Sequence, residues 1–484
     1  MKILENIQPK EVFYFFEEIC NIPHGSGKEK KLSDYIVHFA QQRGLFCRQD
    51  NANNVLIKKE GTKGYEAAPA VILQSHIDMV CEKNGNTDHD FDTEGLKLIV
   101  EDGKIKAKGT TLGADNGIGV AYMLALLDAK EIPHPPLEAV FTTDEEVGMQ
   151  GAKAFDASDL KGKTLINLDT EEEGEFVVSC CGGNRTVVSL PIVWEEAAFE
   201  GNPYLLKITG LTGGHSGSDI HLQRASANKL IGRILFDIFS VYDSRMCRID
   251  GGLQDNAIPR EAEAVLLLKQ EQVQAIQALL ERLNKIYSME YECVEENITI
   301  SLLPMKEKVG KYFSKETTEK IISILLLLPY GVETMDMKLQ NLVESSSNIG
   351  VVQTTEKNIE FHNAIRSSIE SRKQLIAEKI GLIAKLTEAQ IMEKGEYPEW
   401  TFSKNSAIVA LCQQTYKELY QKQPIVTAIH AGLECGIFGK KIQGLDMISI
   451  GPEIRGAHSP EETADIASVE RVWKFLQEVL RRMK

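Results

Sequence analysis

None of the nine cysteines forms a Cys-x-x-Cys pair, and the adjacent Cys180 and Cys181 suit neither a zinc ribbon nor an ordinary disulfide framework. They read as buried or free thiols of a reducing compartment. The most apolar stretch, 321–328, is cut off by Pro329 and falls short of the roughly 20 residues that cross a bilayer. The start of the chain, Met1-Lys2-Ile3-Leu4-Glu5-Asn6, lacks the charged start and apolar core of a signal peptide, so a cytoplasmic protein is expected. Aromatic residues are few, at 7%, and basic residues are outnumbered, 54 against 70 acidic, for a formal net charge of -16. That balance argues against nucleic acid or an anionic membrane as partner. Divalent cations would neutralise part of the surplus, although solubility accounts for it equally well. At 484 residues the chain is too long for one ordinary domain, and two are expected, one inserted in the other.

What is present is a series of short apolar β-formers alternating with amphipathic helices. Val12, Phe13, Phe15, Phe16 and Ile19 make one helical stripe, and Leu32, Ile36 and Phe39 a second. Strands are expected at 55–57, 71–73, 137–141 and 165–168, with a helix apolar on every side at 118–127. Such alternation predicts an α/β fold with a mixed sheet covered on both faces. From about residue 187 the style becomes α+β. Strands are expected at 204–209, 262–269, 298–303, 350–353 and 359–365, and helices at 225–238, 271–285, 315–327 and 370–387. The α/β style returns near 402, with a helix at 407–420, a strand at 447–450 and a closing helix N-capped by Ser468. The expected domains are therefore 1–186 and 402–484 as one discontinuous catalytic domain, with 187–401 inserted as a lid.

Acids and histidines follow the apolar strands in order: His76 and Asp78, then Asp115 in a glycine-rich turn, Glu145-Glu146, Asp169, and far downstream His458. The carboxyl ends of strands are where open α/β sheets bind ligands. Taken singly, Asp115 reads as a helix N-cap, Glu145-Glu146 as a solvated acidic loop and His458 as a surface histidine. Together they supply the oxygen and imidazole ligands that a hydrolytic pair of cations needs, with one carboxylate to spare as base. On an extended segment His76 and Asp78 point to one side, so Asp78 can accept from the imidazole and fix its tautomer. Asp169 is expected to serve the second cation together with His458, and Glu171, Glu172 and Glu173 to face solvent.

The ordered set resembles the di-zinc exopeptidase family of carboxypeptidases, aminotripeptidases and amino-acid deacylases with an inserted lid, and within it the branch that cleaves Xaa-His dipeptides. The resemblance is carried by Asn21-Ile22-Pro23-His24-Gly25-Ser26-Gly27, Leu73-Gln74-Ser75-His76-Ile77-Asp78, Thr111-Leu112-Gly113-Ala114-Asp115-Asn116-Gly117, Thr143-Asp144-Glu145-Glu146-Val147-Gly148 and Ile166-Asn167-Leu168-Asp169. It implies two divalent ions, Zn2+ first and Co2+ or Mn2+ as substitutes, held by His76, Asp115, Glu146, Asp169 and His458, with Asp115 bridging. It further implies Glu145 as general base, Asp78 as the orienter of His76, and a cis peptide after Asp115. An aspartate at 169 resembles aminopeptidases and dipeptidases; a glutamate there would resemble carboxypeptidases and deacylases.

In the middle block, Gly213-Gly214-His215-Ser216-Gly217 resembles the lid motif whose histidine stabilises the tetrahedral intermediate. Asn256 and Arg366 resemble lid residues that hold the substrate carboxylate, a task for which a guanidinium is suited. Gly432, in His430-Ala431-Gly432-Leu433-Glu434, resembles the substrate-binding loop, where backbone can meet peptide without a side chain between. The implied function is hydrolysis of unblocked dipeptides, whose two ends are held at a fixed separation. The competing readings are an aminotripeptidase or an N-acyl amino-acid amidohydrolase, and a non-catalytic peptide- or zinc-binding protein. A homodimer through the lid is open on sequence grounds.

Overall fold

Three of the expected buried strands, Val71–His76, Leu137–Thr142 and Thr164–Asn167, lie side by side and parallel in the structure, a computed structural model describing residues 2–196, 199–307, 309–339 and 342–484. Val71–His76 and Leu137–Thr142 are buried at every position, which is why their apolar residues fall in runs (Val71-Ile72-Leu73, Ala139-Val140-Phe141) and do not alternate with polar ones. They belong to an eight-stranded mixed sheet in the order Phe46–Gln49, Val55–Lys59, Leu137–Thr142, Val71–His76, Thr164–Asn167, Asp446–Ser449, Glu175–Cys180, Ile425–Ile429. The register pairs His76 with Thr142 and Gln74 with Asn167, so the segments after all three strands leave the sheet at one rim.

The apolar helix is longer than expected, running Ala114–Asp128. Its first turn is bent: Gly113 has φ 65°, Asp115 and Asn116 leave the helical region, and the Asp115–Asn116 peptide is cis, as the resemblance implies. The closing helix Ile466–Arg482 packs against it through Trp473, which stacks on Tyr122 at 5.8 Å. The cap of that closing helix is Asp465, whose carboxylate accepts from the Ser468 backbone N–H, and not Ser468 itself. Ser468 instead donates its backbone N–H to that cap while its hydroxyl accepts from Glu453.

Two compact units result. The first comprises Met1–Cys180, Trp400–Ala428 and Leu433–Lys484; the second comprises Cys181–Glu399 and Ile429–Gly432. The second starts earlier than 187 because Gly182–Pro191 is a strand of its sheet, paired along its length with Asn358–Ser367. That sheet has nine strands. The expected strand at 350–353 is the end of a longer one, Val343–Thr354, which pairs with Asn358–Ser367 on one side. Helices Ala227–Val241, Val273–Glu290, Lys315–Leu327 and Glu370–Leu386 bury apolar faces in the core of this unit. Among the described residues no helix is long and apolar enough to cross a membrane.

Candidate metal centre

Each ligand candidate of the first unit sits just beyond a strand or at a helix start for a local reason. His76 ends its strand, Glu145 and Glu146 lie in the turn after Leu137–Thr142, and Asp169 follows Thr164–Asn167. Asp115 occupies the bent first turn of its helix, so it does not act as an N-cap. The backbone around it is gripped by a carboxylate that sequence reasoning did not single out. Glu462 accepts from the N–H groups of Leu112, Gly113, Ala114 and Asp115 at 2.7, 2.9, 2.8 and 3.3 Å. His458 reaches the site from a loop in which its own φ is 63°, a backbone region a non-glycine residue enters at a cost.

Two groups of ligand atoms share Asp115. His76, Asp115 and Asp169 form one; Asp115, Glu146 and His458 form the other, and in each the ligand atoms lie within 4.8 Å of one another. Asp169 therefore stands with His76 and not, as expected, with His458, because Thr164–Asn167 is the immediate neighbour of Val71–His76 in the sheet. His76 Nε2 is 3.1 Å from Asp115 Oδ1 and 3.2 Å from Asp169 Oδ1. His458 Nε2 is 3.3 Å from Asp115 Oδ2 and 3.0 Å from Glu146 Oε1.

The second partner of each ligand fixes its direction. His76 Nδ1 is 3.1 Å from the Asp78 carbonyl and 3.4 Å from Asp78 Oδ1, so the backbone oxygen, more than the expected carboxylate, receives its proton. Asp78 in turn accepts from Ser26 Oγ at 2.8 Å and from the N–H groups of Glu145 and Glu146 at 3.0 and 3.2 Å. One carboxylate thus ties the His76 segment to the loop carrying the base candidate. Asn116 donates its amide to Asp169.

The electrostatics fit cations. With Nδ1–H directed at Asp78, the Nε2 lone pair of His76 faces two carboxylates, an arrangement that calls for positive charge between them. Without metal a proton fills that role: burial opposes it, but Asp169, Asp115 and Asp78 raise the His76 pKa well above its ordinary value. Hydrogen bonds to Asp115 and Glu146 push His458 up to about 11. Burial, with Asp115 and Glu146 nearby, lifts Asp169 to about 6 although His76 pulls it down. Glu146 Oε1 is buried and faces His458 Nε2. A site of hard oxygen and imidazole donors, more acid than its protons can satisfy, suits divalent ions.

Glu145 groups with His76 and Glu146 within the same 4.8 Å span. Burial, together with Asp169, Glu434 and Glu146, raises its pKa well above the usual carboxylate value despite His76. Two further acids were missed or misjudged. Glu434, completely buried, accepts from Thr142 Oγ1 at 2.6 Å and Gln74 Nε2 at 2.5 Å, and burial pushes it up to about 8. Glu171 was expected in solvent; burial and the charges of Asp115 and Asp169 raise it to about 8, while Glu172 and Glu173 pair outward with Arg455 and Arg471. Glu434 has no strand-then-acid spacing to reveal it, and Glu171 stands in a run of acids after Asp169 in which spacing does not tell the buried one from its exposed neighbours.

The second unit gathers its own candidates. His215 pairs with Ala257 across two short strands, and Ser216 donates its N–H to the Asn256 carbonyl at 2.8 Å. The His215 Nδ1 accepts from the N–H groups of Gly217 and Ser218 at 3.3 and 3.1 Å, so the proton of the neutral ring lies on Nε2. Burial and Arg366 keep that ring neutral by lowering its pKa. Nε2 is 3.4 Å from Arg366 Nη2, another donor, so two donors converge with no acceptor between them. Arg366 is buried and bonds Tyr397 through Nη1 at 2.9 Å, while its Nε is unpaired. A Cβ on Gly217 would lie 2.6 Å from the His430 carbonyl and 2.9 Å from His215 Cε1, which explains the glycine of that motif. Gly432 belongs to the same unit, two residues after His430.

The chain is 38% identical over 483 residues to the cytosol non-specific dipeptidase of Escherichia coli, covering 100% of this chain and 99% of that protein. The crystal structure of an aminoacylhistidine dipeptidase from Vibrio alginolyticus matches with TM-score 0.91 and 38% identity over 99% of this chain and 98% of that one. An aminopeptidase from Bacillus cereus, at 15% identity and TM-score 0.57 over 98% of both chains, shares the fold. The model of peptidase family M20/M25/M40 matches residues 72–482, a span that holds every ligand candidate from His76 to His458. This chain belongs to that family and is a metal-dependent peptidase.

Proposed function

We propose that the chain is a dipeptidase that hydrolyses unblocked dipeptides, those of Xaa-His type among them. The observation that carries this reading is the pair of ligand groups sharing Asp115, with Glu145 beside them. His76, Asp115 and Asp169 would hold one divalent ion, and Asp115, Glu146 and His458 a second, most simply both Zn2+. When bound, such ions polarise a scissile carbonyl, acidify a water and offset the clustered carboxylates.

The chain's own residues do the rest. Glu145 takes a proton from the attacking water as its oxygen bonds to the carbonyl carbon, then returns that proton to the amine nitrogen as the C–N bond breaks. Asp78 holds His76 through its backbone carbonyl and the Glu145 backbone through its carboxylate, so ligand and base are positioned by one residue. His215 Nε2–H is assigned to the developing oxyanion, and the Arg366 guanidinium, with Asn256 and the backbone at Gly432, to the terminal carboxylate. Asp169 and Glu171 supply negative charge for a free amino terminus.

A cytoplasmic location accords with the name of the E. coli relative. A homodimer through the second unit accords with the exposed edge strand Gln390–Tyr397 of its sheet. The testing experiment is turnover of free and N-acetylated Xaa-His dipeptides by zinc-loaded wild type and Glu145→Ala. Cleavage of the free peptides alone, lost in the variant, is expected. Cleavage only of acetylated ones would make the chain a deacylase, and bound zinc with no turnover would make it a binding protein.

A further inference from the structure

Beside the ligand groups, and wholly inside the first unit, lies a cavity of about 540 Å³ whose wall includes Glu146 itself. Ser26, which donates to Asp78, also lines it, so the cavity opens on the same groups that position the base. The chemistry of its wall is divided. Met79, Val80, Phe91 and Val147 present apolar surface with Cys81 among them, and Glu82, Lys83, His89 and Asp90 supply polar groups on the rest of the wall. At the rim, Lys28 is ion-paired with Asp92, so no unpaired charge is offered by that pair. Gly25 makes room for the thiol, because a Cβ there would stand 2.5 Å from Cys81 Sγ. Val147 is 59% exposed although it directly follows Glu146, a large apolar side chain left in solvent at the edge of a charged centre.

We propose that this cavity is the subsite for the side chain of the substrate's amino-terminal residue, that it accepts bulky apolar and aromatic groups, and that Val147 and Cys81 determine its selectivity. The proposal rests on the dipeptidase reading above. There the carbonyl attacked is that of the amino-terminal residue, so this residue lies at the ligand groups of the first unit. A side chain projecting from that residue needs a recess bordered by a ligand of the centre, and this cavity is bordered by Glu146. Its volume lies in the range of small-molecule sites and exceeds the need of any single side chain, so it separates residues by apolar contact more than by size. The largest gain from contact should therefore go to Leu, Phe and Trp, and a narrowed wall should penalise those first.

The test compares Phe-His with Ala-His as substrates of the zinc-loaded full chain, in wild type, Val147→Trp and Cys81→Trp. Val147 is 59% exposed, so a larger side chain there enters the recess without repacking a core, whereas at Cys81, whose thiol rests on Gly25, the added bulk must turn away from Gly25 and into the recess. Narrowing should lower the ratio of kcat/KM for Phe-His to that for Ala-His about tenfold or more, chiefly through KM for Phe-His. Melting with wild type and a wild-type zinc content show that the variants are folded and loaded. An unchanged Phe-to-Ala preference in both variants would overturn the subsite. So would an equal fall for the two peptides in both variants, provided each melts with wild type. Failure of wild type to cleave either peptide would instead remove the dipeptidase reading, a result separable from the other two.

Discussion

Glu462 Oε1 lies 3.3 Å from the backbone nitrogen of Asp115, and the same carboxylate takes the three preceding N–H groups. A buried anion here organises the turn from which the shared ligand projects, at the amino end of a helix where negative charge is favoured. Glu462→Ala should weaken zinc binding about 10–100-fold, as loss of a partner behind a ligand commonly does. Competition with a chelator measures it. At saturating zinc kcat should recover to within a few-fold; a kcat deficit that zinc does not repair would assign Glu462 some other role.

Glu145→Gln keeps the shape of the side chain and removes its basicity. Turnover should fall by about 10²–10⁴-fold with two zinc ions still bound per chain. Metal analysis alongside steady-state kinetics reads both quantities. Joint loss of metal and activity would make Glu145 a ligand instead of the base.

Arg366→Ala removes one of the two converging donors beside His215. The expected result is a KM for free dipeptides raised by about 2–3 kcal/mol of lost binding, the worth of a charge-assisted hydrogen bond. Dipeptide amides, which lack the carboxylate, should be affected little. Equal damage to acid and amide substrates would count against a carboxylate grip.

Metal removal should destabilise the fold, since several carboxylates then face one another. At free zinc a thousand times its dissociation constant, each site contributes about 4 kcal/mol of stability. Calorimetry with and without chelator should show a large downward shift of Tm, reversed by zinc. An unchanged Tm would mean that the ligand groups do not bind metal tightly.

In metal-free protein Glu434 gives a pH signature. Its carboxyl is raised by burial from 4.5 to about 8, so between those values the folded chain keeps a proton that the unfolded chain has lost. Stability therefore falls as pH rises through this window on its account. Glu434→Gln removes that slope, and the variant's denaturant midpoint relative to wild type should be higher at pH 8 than at pH 5. A difference independent of pH would show that Glu434 is ionised in the folded chain throughout.

The sequence by itself determined the local facts. Short apolar runs leading to His76, to Glu145 and to Asp169, bounded by polar and turn residues, read as buried strands, and an acid or imidazole just past such a strand emerges at a rim. The inserted block was legible because His458 returns after a change of style near 187 and again near 402. What the linear order could not decide was which rim residues are neighbours. Asp169 joins His76 because their strands are paired, although Glu145 and Glu146 intervene in sequence. Glu462 and Glu434 were invisible for the same reason: each acts across about 350 residues of chain, on Asp115 and on Gln74, and neither carries a local pattern. The strand register decided these pairings, and a carboxylate's protonation then followed from what the fold buried beside it.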